Sequence, residues 1–189
     1  MKKVLLVIAM VAAGFTANAQ EEKAKGGFVK EDLYISGSVG YNTVDDADVY
    51  TFSPSVGYFV SDNIALELGL TIGGSEIGTT ETNAFGVNIG ANYFFTPEND
   101  FSFVVGAGLS YVSTGSEIAG VEQADVNAFG IAIAPGINYF VSESIALRAS
   151  VGALSYATSK VDVDGAESVN SFGLNLNLSD INFGITYKF

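Results

Sequence analysis

The last nine residues of the chain alternate between apolar and small or polar side chains. The apolar positions are Ile181, Phe183, Ile185, Tyr187 and Phe189. Because successive side chains of a β-strand point to opposite faces, this period of two predicts a strand with one wholly apolar face. We expect another protein surface, or lipid, to cover that face.

Seven further segments show the same alternation. They begin at Leu33, Tyr50, Ile64, Phe85, Phe101, Phe129 and Ile145. The short connections between segments are residues 61–63, 96–100 and 141–144. The longer, polar connections are residues 42–48, 74–83, 113–125 and 157–170. Eight strands with short turns at one end and long loops at the other are typical of an up-and-down β-barrel.

The eighth segment reverses its phase. Phe172 and Leu174 occupy even positions, whereas the apolar residues from Ile181 onward occupy odd positions. Because one extra residue reverses the facing of a strand, we predict a β-bulge near Ser179-Asp180 as the single irregularity of the barrel. A short extra turn at this point is the alternative.

A hairpin repeats within the chain. Residues 58–61 read Tyr-Phe-Val-Ser and are followed by Ile-Ala-Leu-Glu, while residues 139–142 read Tyr-Phe-Val-Ser and are followed by Ile-Ala-Leu-Arg. Residues 93–96, Tyr-Phe-Phe-Thr, are a third copy of the entry into the turn. A repeated hairpin is the unit from which an up-and-down barrel is built.

Residues 1–19 have the layout of a cleavable secretory signal. A basic start at Lys2 and Lys3 is followed by a short apolar core and an Ala-Asn-Ala exit. A buried N-terminal helix is the alternative. We predict a flexible polar lead-in over residues 20–32 and one barrel domain over residues 33–189.

The composition excludes several classes of protein. With 8 basic residues, 21 acidic residues and no cysteine, the chain repels nucleic acid phosphates and forms neither disulfides nor a lipid-modified cysteine. Charged residues are only 15% of the chain, below the roughly 25% of soluble domains. No apolar run after the signal is long enough for a transmembrane helix, so a β-barrel is the remaining way for an apolar exported chain to cross lipid.

The two faces of the predicted strands differ in chemistry. One face is aliphatic, with aromatic residues near both strand ends, and the other is mostly small or polar, with Glu67 and Arg148 as its main charges. A water-facing surface normally carries more charge than this. We therefore expect the small residues to line the lumen, and the apolar face with its two aromatic girdles to meet lipid. A soluble barrel with the apolar face inward is the alternative.

On these features the chain resembles the small eight-stranded outer-membrane barrels, the OmpA/OmpX-like porin-type β-barrel domain. The resemblance implies an all-β, eight-stranded antiparallel up-and-down transmembrane β-barrel in the bacterial outer membrane. It also implies outer-membrane lipid as a partner, and the barrel-assembly machinery during biogenesis; we expect a monomer. In such barrels the assembly machinery reads the terminal strand, here at Phe183, Ile185, Tyr187 and Phe189.

Histidine and cysteine are both absent from the chain. The enzymes built on small outer-membrane barrels resemble one another in needing a histidine to move protons, and the usual zinc and copper ligand sets are missing as well. A carboxylate pair is the remaining catalytic option, yet Glu67 is the only acid that we place on the lumen wall within the membrane. We therefore predict a non-enzymatic protein with no catalytic residue, no cofactor and no metal site.

Glu67 and Arg148 occupy matching positions of the hairpin repeat, each three residues after the isoleucine that opens its strand. The third and seventh strands lie on opposite walls of an eight-stranded barrel. The interior of such a barrel is narrow enough for side chains to fill it, so long side chains from opposite walls can meet. Because an unpaired buried charge costs about 3–5 kcal/mol, we predict a lumenal salt bridge between these residues. The family resemblance implies a plug or gate; the alternative is that the pair only fills the interior.

The longer connections are acidic. Their acids are Asp45, Asp46, Asp48, Glu76, Glu81, Glu117, Glu122, Asp125, Asp162, Asp164 and Glu167. Divalent cations bridging to lipid phosphates, or attraction of cationic partners, are one hypothesis, and solubility of exposed loops is the alternative. We predict a structural or surface-interaction role with a plugged, polar lumen. The alternatives are a narrow gated pore for ions or very small solutes, and an adhesin or cation-binding surface protein.

Overall fold

The computed structural model describes residues 26–44, 47–151, 153–175 and 181–189. The strands in these ranges are β1 Leu33–Val44, β2 Ala47–Phe59, β3 Ile64–Ile77, β4 Thr80–Phe94, β5 Phe101–Ile118, β6 Val121–Glu122, β7 Val126–Phe140, β8 Ile145–Val151, β9 Ala153–Val161, β10 Val169–Asn175 and β11 Ile181–Lys188. In the same ranges, no helix is long and apolar enough to cross a membrane. The predicted all-β class is confirmed.

The strands close into an antiparallel barrel. β8 and β9 both pair with β7, so together they form the seventh strand of the wall. β11 pairs with β8, and β10 pairs with β9, so β10 and β11 together form the eighth strand. β6 is a two-residue strand paired with the end of β5. β11 also pairs with β1, from Tyr34↔Lys188 to Ser38↔Gly184, which closes the sheet. The described strands therefore confirm the predicted eight-stranded barrel.

The apolar face of the wall points outward, and the face of small and polar residues lines the lumen. The outward side chains of Leu68 and Ile133 are 57% and 46% exposed, whereas Ala65 and Phe94 on the inward face are 0% exposed. The buried core of the described residues thus lies inside the barrel, at its short-turn end. A soluble barrel with the apolar face inward is not the arrangement found.

The long-loop end is more regular than the sequence predicts. β3 and β4 are joined by residues 78–79 alone, and β5 turns into β6 through Ala119 and Gly120 at φ 51° and 82°. Positive φ at both central residues suits a two-residue hairpin turn. The prediction of long connections is wrong for residues 74–83 and for most of 113–125. It is also wrong for residues 42–44 and 47–48, which belong to β1 and β2. These polar segments satisfy their backbone hydrogen bonds by extending the hairpins.

The seventh wall strand reverses its phase, which the sequence analysis does not predict. Its ladder with β7 ends at Gly136↔Ser150 in β8 and resumes at Ile133↔Leu154 in β9. β7 thus advances by three residues while its partner advances by four, the surplus of one residue that defines a β-bulge. Leu147 and Leu154 consequently both face outward. The prediction of a single irregularity in the barrel is wrong.

The reversal predicted in the eighth strand, near Ser179-Asp180, lies outside the described residues.

Residues 26–32 turn into the short-turn end of the barrel. Phe28 is 0% exposed, and its backbone amide donates to the carbonyl of Pro97 at 2.7 Å. Residues 26–32 thus dock against the barrel, because an aromatic side chain in this polar segment finds an apolar site inside it. The flexibility of the lead-in stays a prediction. Residues 20–25 and the predicted signal, residues 1–19, lie outside the described residues.

Candidate functional site

Aromatic rings fill the lumen at the short-turn end. They belong to Phe28, Tyr34, Phe59, Phe94 and Phe140, none of which is more than 4% exposed. The ring of Phe28 lies at the centre, with centroid distances of 4.6 Å to Phe59, 4.9 Å to Phe140, 5.2 Å to Tyr34 and 5.5 Å to Phe94. Aromatic pairs at these distances stabilise one another beyond their burial. We call these five residues the aromatic layer.

The repeated Tyr-Phe pair supplies three of these rings. Phe59, Phe94 and Phe140 end β2, β4 and β7, and each is preceded by a tyrosine. These tyrosines point outward and are 42 to 44% exposed. Strand alternation therefore sends one aromatic residue of each pair to the outer girdle and the next into the lumen.

Glu67 and Arg148 meet across the lumen, beside the aromatic layer. Arg148 Nη1 lies 2.7 Å from Glu67 Oε2, and both side chains are largely buried. The hydroxyl of Tyr34 donates to the same oxygen at 2.8 Å, and Nδ2 of Asn92 donates to it at 3.1 Å. The structure thus brings the two predicted residues together, and three donors fix the position of the carboxylate. Their role as a plug or gate stays a prediction.

Aromatic rings also hold Arg148. Its guanidinium carbon lies 5.3 Å from the ring centroid of Tyr34 and 5.7 Å from that of Phe94, within the range of cation–π attraction. Within the described ranges, Arg148 Nε and Nη2 are buried without a hydrogen-bond partner. The same is true there of Oδ1 of Asn138, which pairs with Arg148 in the β7–β8 ladder. The ring contacts partly offset these missing hydrogen bonds.

Gly57 makes room for the ring of Tyr34. A Cβ atom at this position would overlap the tyrosine ring. Gly57 pairs with Glu67 in the β2–β3 ladder, so the ring lies on the wall next to the carboxylate that it binds. A residue without a side chain is therefore required for this position of the Tyr34 hydroxyl.

A cavity of about 360 Å³ begins at the ion pair and extends toward the long-loop end. Glycine and alanine are 8 of its 17 lining residues, and Asn88, Asn92 and Ser150 are among the polar residues around Glu67 and Arg148. Since the chain contains neither histidine nor cysteine, the cavity offers hydrogen bonds and one ion pair but no imidazole base or thiol.

Comparison with known proteins places this fold in a family. The family model of the outer membrane protein beta-barrel domain matches residues 6–189. The chain belongs to this family. No curated protein matches this outer-membrane β-barrel protein.

Solved bacterial outer-membrane proteins are similar to this β-barrel protein in fold. Neisserial surface protein A is 17% identical with a TM-score of 0.54, over 84% of this chain and 96% of that chain. The N-terminal β-barrel domain of Pseudomonas aeruginosa OprF is 20% identical with a TM-score of 0.52, over 85% and 98%. OprG of the same organism is 13% identical with a TM-score of 0.51, over 90% and 99%. At these identities the likeness is one of fold alone.

Acidic residues of this outer-membrane β-barrel protein line up across neighbouring strands. The ladders pair Asp48 with Glu76, Glu76 with Glu81, Glu81 with Glu117, and Glu117 with Glu122. These five acids, the acidic row, lie on strands rather than on the predicted loops, because the hairpins are extended. Strand alternation places them on the outward face, beyond the aromatic residues at that end. Like charges directly opposite each other repel, so the row destabilises this end of the barrel.

The remaining predicted acids are not members of the acidic row, although Asp125 lines a cleft together with Glu81, Glu117 and Glu122. Asp125 precedes β7, and the connection between β9 and β10 contains Asp162, Asp164 and Glu167. Asp45 and Asp46 lie outside the described residues. In the described part of the chain, no three acidic side chains come close enough to hold a metal ion.

The predicted assembly signal lies on the closing strand of the barrel. β11 pairs with both β1 and β8, and its outward residues are Phe183, Ile185, Tyr187 and, just beyond it, Phe189. The rings of Tyr187 and Phe189 meet edge to face at 5.2 Å. Reading of this strand by the assembly machinery stays a prediction.

Sequence reasoning missed the aromatic layer. For Phe59, Phe94 and Phe140 a signal was present, since alternation places the second residue of each Tyr-Phe pair on a face that is otherwise small. Tyr34 carried the same signal, as an aromatic residue among serine and glycine. No strand-alternation signal identified Phe28, because its position depends on how the segment before β1 folds back.

Proposed function

We propose that this protein is an integral outer-membrane β-barrel with a closed lumen, no enzymatic activity and a structural or surface-interaction role. The observation that carries the proposal is the pair of barriers across the lumen, the aromatic layer and the Glu67–Arg148 ion pair beside it. Side chains are large enough to fill the interior of an eight-stranded barrel, so these two barriers leave no path for solutes.

The outward face supports residence in the outer membrane. Apolar side chains are exposed along the whole wall, and aromatic residues lie near both strand ends. Such a surface is stable in lipid and aggregates in water. We infer that the chain is exported through the signal at residues 1–19, is inserted by the barrel-assembly machinery, and works as a monomer surrounded by outer-membrane lipid.

The lumen chemistry supports a non-enzymatic role. The chain lacks histidine and cysteine, the side chains that most often move protons or attack substrates near neutral pH. Among the described lumenal groups, Glu67, Tyr34 and Arg148 bind one another, so the two charged groups that line the cavity are already paired. Their arrangement holds the interior in place.

Single-channel conductance in planar bilayers tests the closed lumen. We expect the refolded native protein to be electrically silent while circular dichroism and protease protection show that it is folded and inserted. A known porin in the same bilayer controls for membrane quality. A steady conductance from the native protein would falsify the closed lumen.

A narrow gated pore is the second candidate, and the polar cavity next to the ion pair favours it. Comparing the native protein with Arg148→Ala discriminates it. A silent native protein and a conducting variant make the ion pair the gate. If neither protein conducts, the ion pair is not the gate and another part of the protein closes the lumen.

A surface-interaction role through the acidic row is the third candidate. Five carboxylates in register on the outward face attract divalent cations and cationic partners. Replacing Glu81, Glu117 and Glu122 together by glutamine, and measuring cell or matrix binding of the inserted barrel, tests it. Unchanged binding counts against this role.

A further inference from the structure

We propose that residues 26–30 are a plug that leaves the short-turn end of the lumen while the barrel stays folded. This inference rests on the proposed closed lumen and names the part of the chain that closes it. The wall strands supply four rings of the aromatic layer. The fifth and central ring belongs to Phe28, which precedes the first strand.

The plug fits its seat closely. A Cβ atom at Gly26 would overlap the side chain of Phe140. At Gly27, which has φ 148°, a Cβ atom would lie 2.6 Å from the carbonyl oxygen of Glu98. Two consecutive glycines thus let the backbone approach the wall and carry Phe28 into the layer. Such a fit indicates a specific docked position rather than a tail resting on the barrel.

The contacts of residues 26–28 with the barrel are separate from the strand ladders. The amide of Gly26 donates to Asp100 Oδ1 at 2.8 Å, and the amide of Phe28 donates to the Pro97 carbonyl at 2.7 Å. Lys188 Nζ donates to the Gly27 carbonyl at 2.6 Å. Pro97 and Asp100 belong to the turn between β4 and β5, and Lys188 uses its side chain. Undocking therefore breaks these contacts without breaking the pairing of wall strands, as local opening requires.

The fixed part of the chain begins at a sharp bend. Glu31 has φ 78°, a left-handed conformation that side chains rarely adopt. Asp32 Oδ2 accepts the amide of Val29 at 2.9 Å and stabilises the bend. Beyond it, the hydrogen bonds from Glu31 N to Phe59 O and from Phe59 N to Asp32 O, both 2.9 Å, continue the pairing of β1 with β2. The bend is therefore the hinge, and the residues before it are the moving part.

The plug and the ion pair are barriers in series. Phe28 contacts the ring of Tyr34, and the hydroxyl of Tyr34 binds Glu67. Removing Arg148 alone leaves the plug in place, so we expect Arg148→Ala to stay silent in a bilayer. We expect the combination of Arg148→Ala with deletion of residues 20–30 to open both barriers to ions.

Thiol labelling tests the plug, because the natural chain contains no cysteine. Ala65 is 0% exposed and belongs to the same buried cluster as Phe28, so Ala65→Cys reports access to the aromatic layer. Its modification by a small water-soluble maleimide is compared in four proteins. They are Ala65→Cys alone and Ala65→Cys combined with Phe28→Ala, with deletion of residues 20–30, or with Val29→Ala. Val29 is 57% exposed and is the matched control.

We expect Phe28→Ala and the deletion to speed labelling at least tenfold and Val29→Ala to leave it unchanged, while far-UV circular dichroism and protease protection show a folded barrel in all four proteins. Equal labelling rates overturn the plug, as does acceleration confined to variants whose barrel has lost its strand signal or its protease protection. Ala146→Cys, also 0% exposed in this cluster, replaces Ala65→Cys if that variant does not fold. A silent native protein with equal labelling rates overturns the plug alone, whereas a conducting native protein overturns the closed lumen and the plug together.

Discussion

Tyr34 and Arg148 bind the same atom, Oε2 of Glu67, at 2.8 and 2.7 Å, and the guanidinium carbon lies 5.3 Å from the tyrosine ring centroid. The phenol therefore contacts both members of the ion pair. Because the ring of Tyr34 also belongs to the aromatic layer, the ion pair and the layer form one connected unit across the lumen.

Tyr34→Phe removes one donor from Glu67 and keeps the ring. Because a hydrogen bond to a charged group contributes about 1.5–3 kcal/mol, we expect the free energy of unfolding to fall by about 2 kcal/mol. Urea unfolding in detergent micelles, followed by far-UV circular dichroism, measures it. Tyr93→Phe, on the outward face, serves as the control and leaves the free energy unchanged. Equal effects of the two substitutions would contradict the role of the Tyr34 hydroxyl.

Arg148→Ala leaves the buried carboxylate of Glu67 without its counter-charge. Breaking a buried pair from one side costs about 3–5 kcal/mol, so we expect a loss of this size in the same urea experiment. The double variant Glu67→Ala/Arg148→Ala loses less than the sum of the single variants, because no charge is left unpaired. Exposed Lys160→Ala is the control for removing a positive charge. Strict additivity would show that the two side chains do not interact.

Gly57→Ala puts a methyl group where the Tyr34 ring lies. We expect a loss of about 1–3 kcal/mol in the free energy of unfolding, since overpacking displaces the ring and its hydroxyl. Gly40→Ala is the matched control, because a Cβ atom there meets Thr51 Cβ at an ordinary 3.8 Å. The two substitutions are compared by urea unfolding, and a harmless Gly57→Ala would mean that the ring does not rest on Gly57.

Glu117→Gln removes a charge from an interior position of the acidic row, where Glu81 and Glu122 flank it. Cross-strand pairs contribute roughly 0.2–1 kcal/mol, so relieving two repulsions raises the free energy of unfolding by about that amount. The gain shrinks at high ionic strength, because salt screens exposed charges. Urea unfolding at two salt concentrations measures both effects. Glu167→Gln, away from the row, gives no comparable gain; a salt-independent effect would rule out repulsion as the cause.

Leu68→Arg places a charge on the outward face near the middle of β3. If this face meets lipid, the substitution costs about 2–4 kcal/mol in bilayers, the cost of a cation at the membrane midplane. Unfolding from lipid vesicles measures it. Val163→Arg, in the connection between β9 and β10, is the control and has little effect. Tolerance of Leu68→Arg in vesicles would argue against lipid contact at this face.

Some features that the sequence analysis missed were nonetheless written in the sequence. In the seventh strand, the outward residue Leu147 has an odd number, whereas the outward residues Leu154 and Tyr156 have even numbers. The phase change of this strand could therefore have been predicted from the sequence. The extension of β3 and β4 to residues 78–79 was harder to read, because polar side chains on both faces carry no period.

The sequence by itself determined the barrel and the facing of its residues. A period of two is a local property, so each side chain of the repeated strands, Glu67 and Arg148 included, is assigned to a face without knowledge of its neighbours. Only the tertiary structure decided what closes the lumen. The side chain of Phe28 packs against residues at the ends of β2, β4 and β7, which are far apart in the chain. These residues meet only after the barrel closes, so no local sequence pattern specifies where the segment docks.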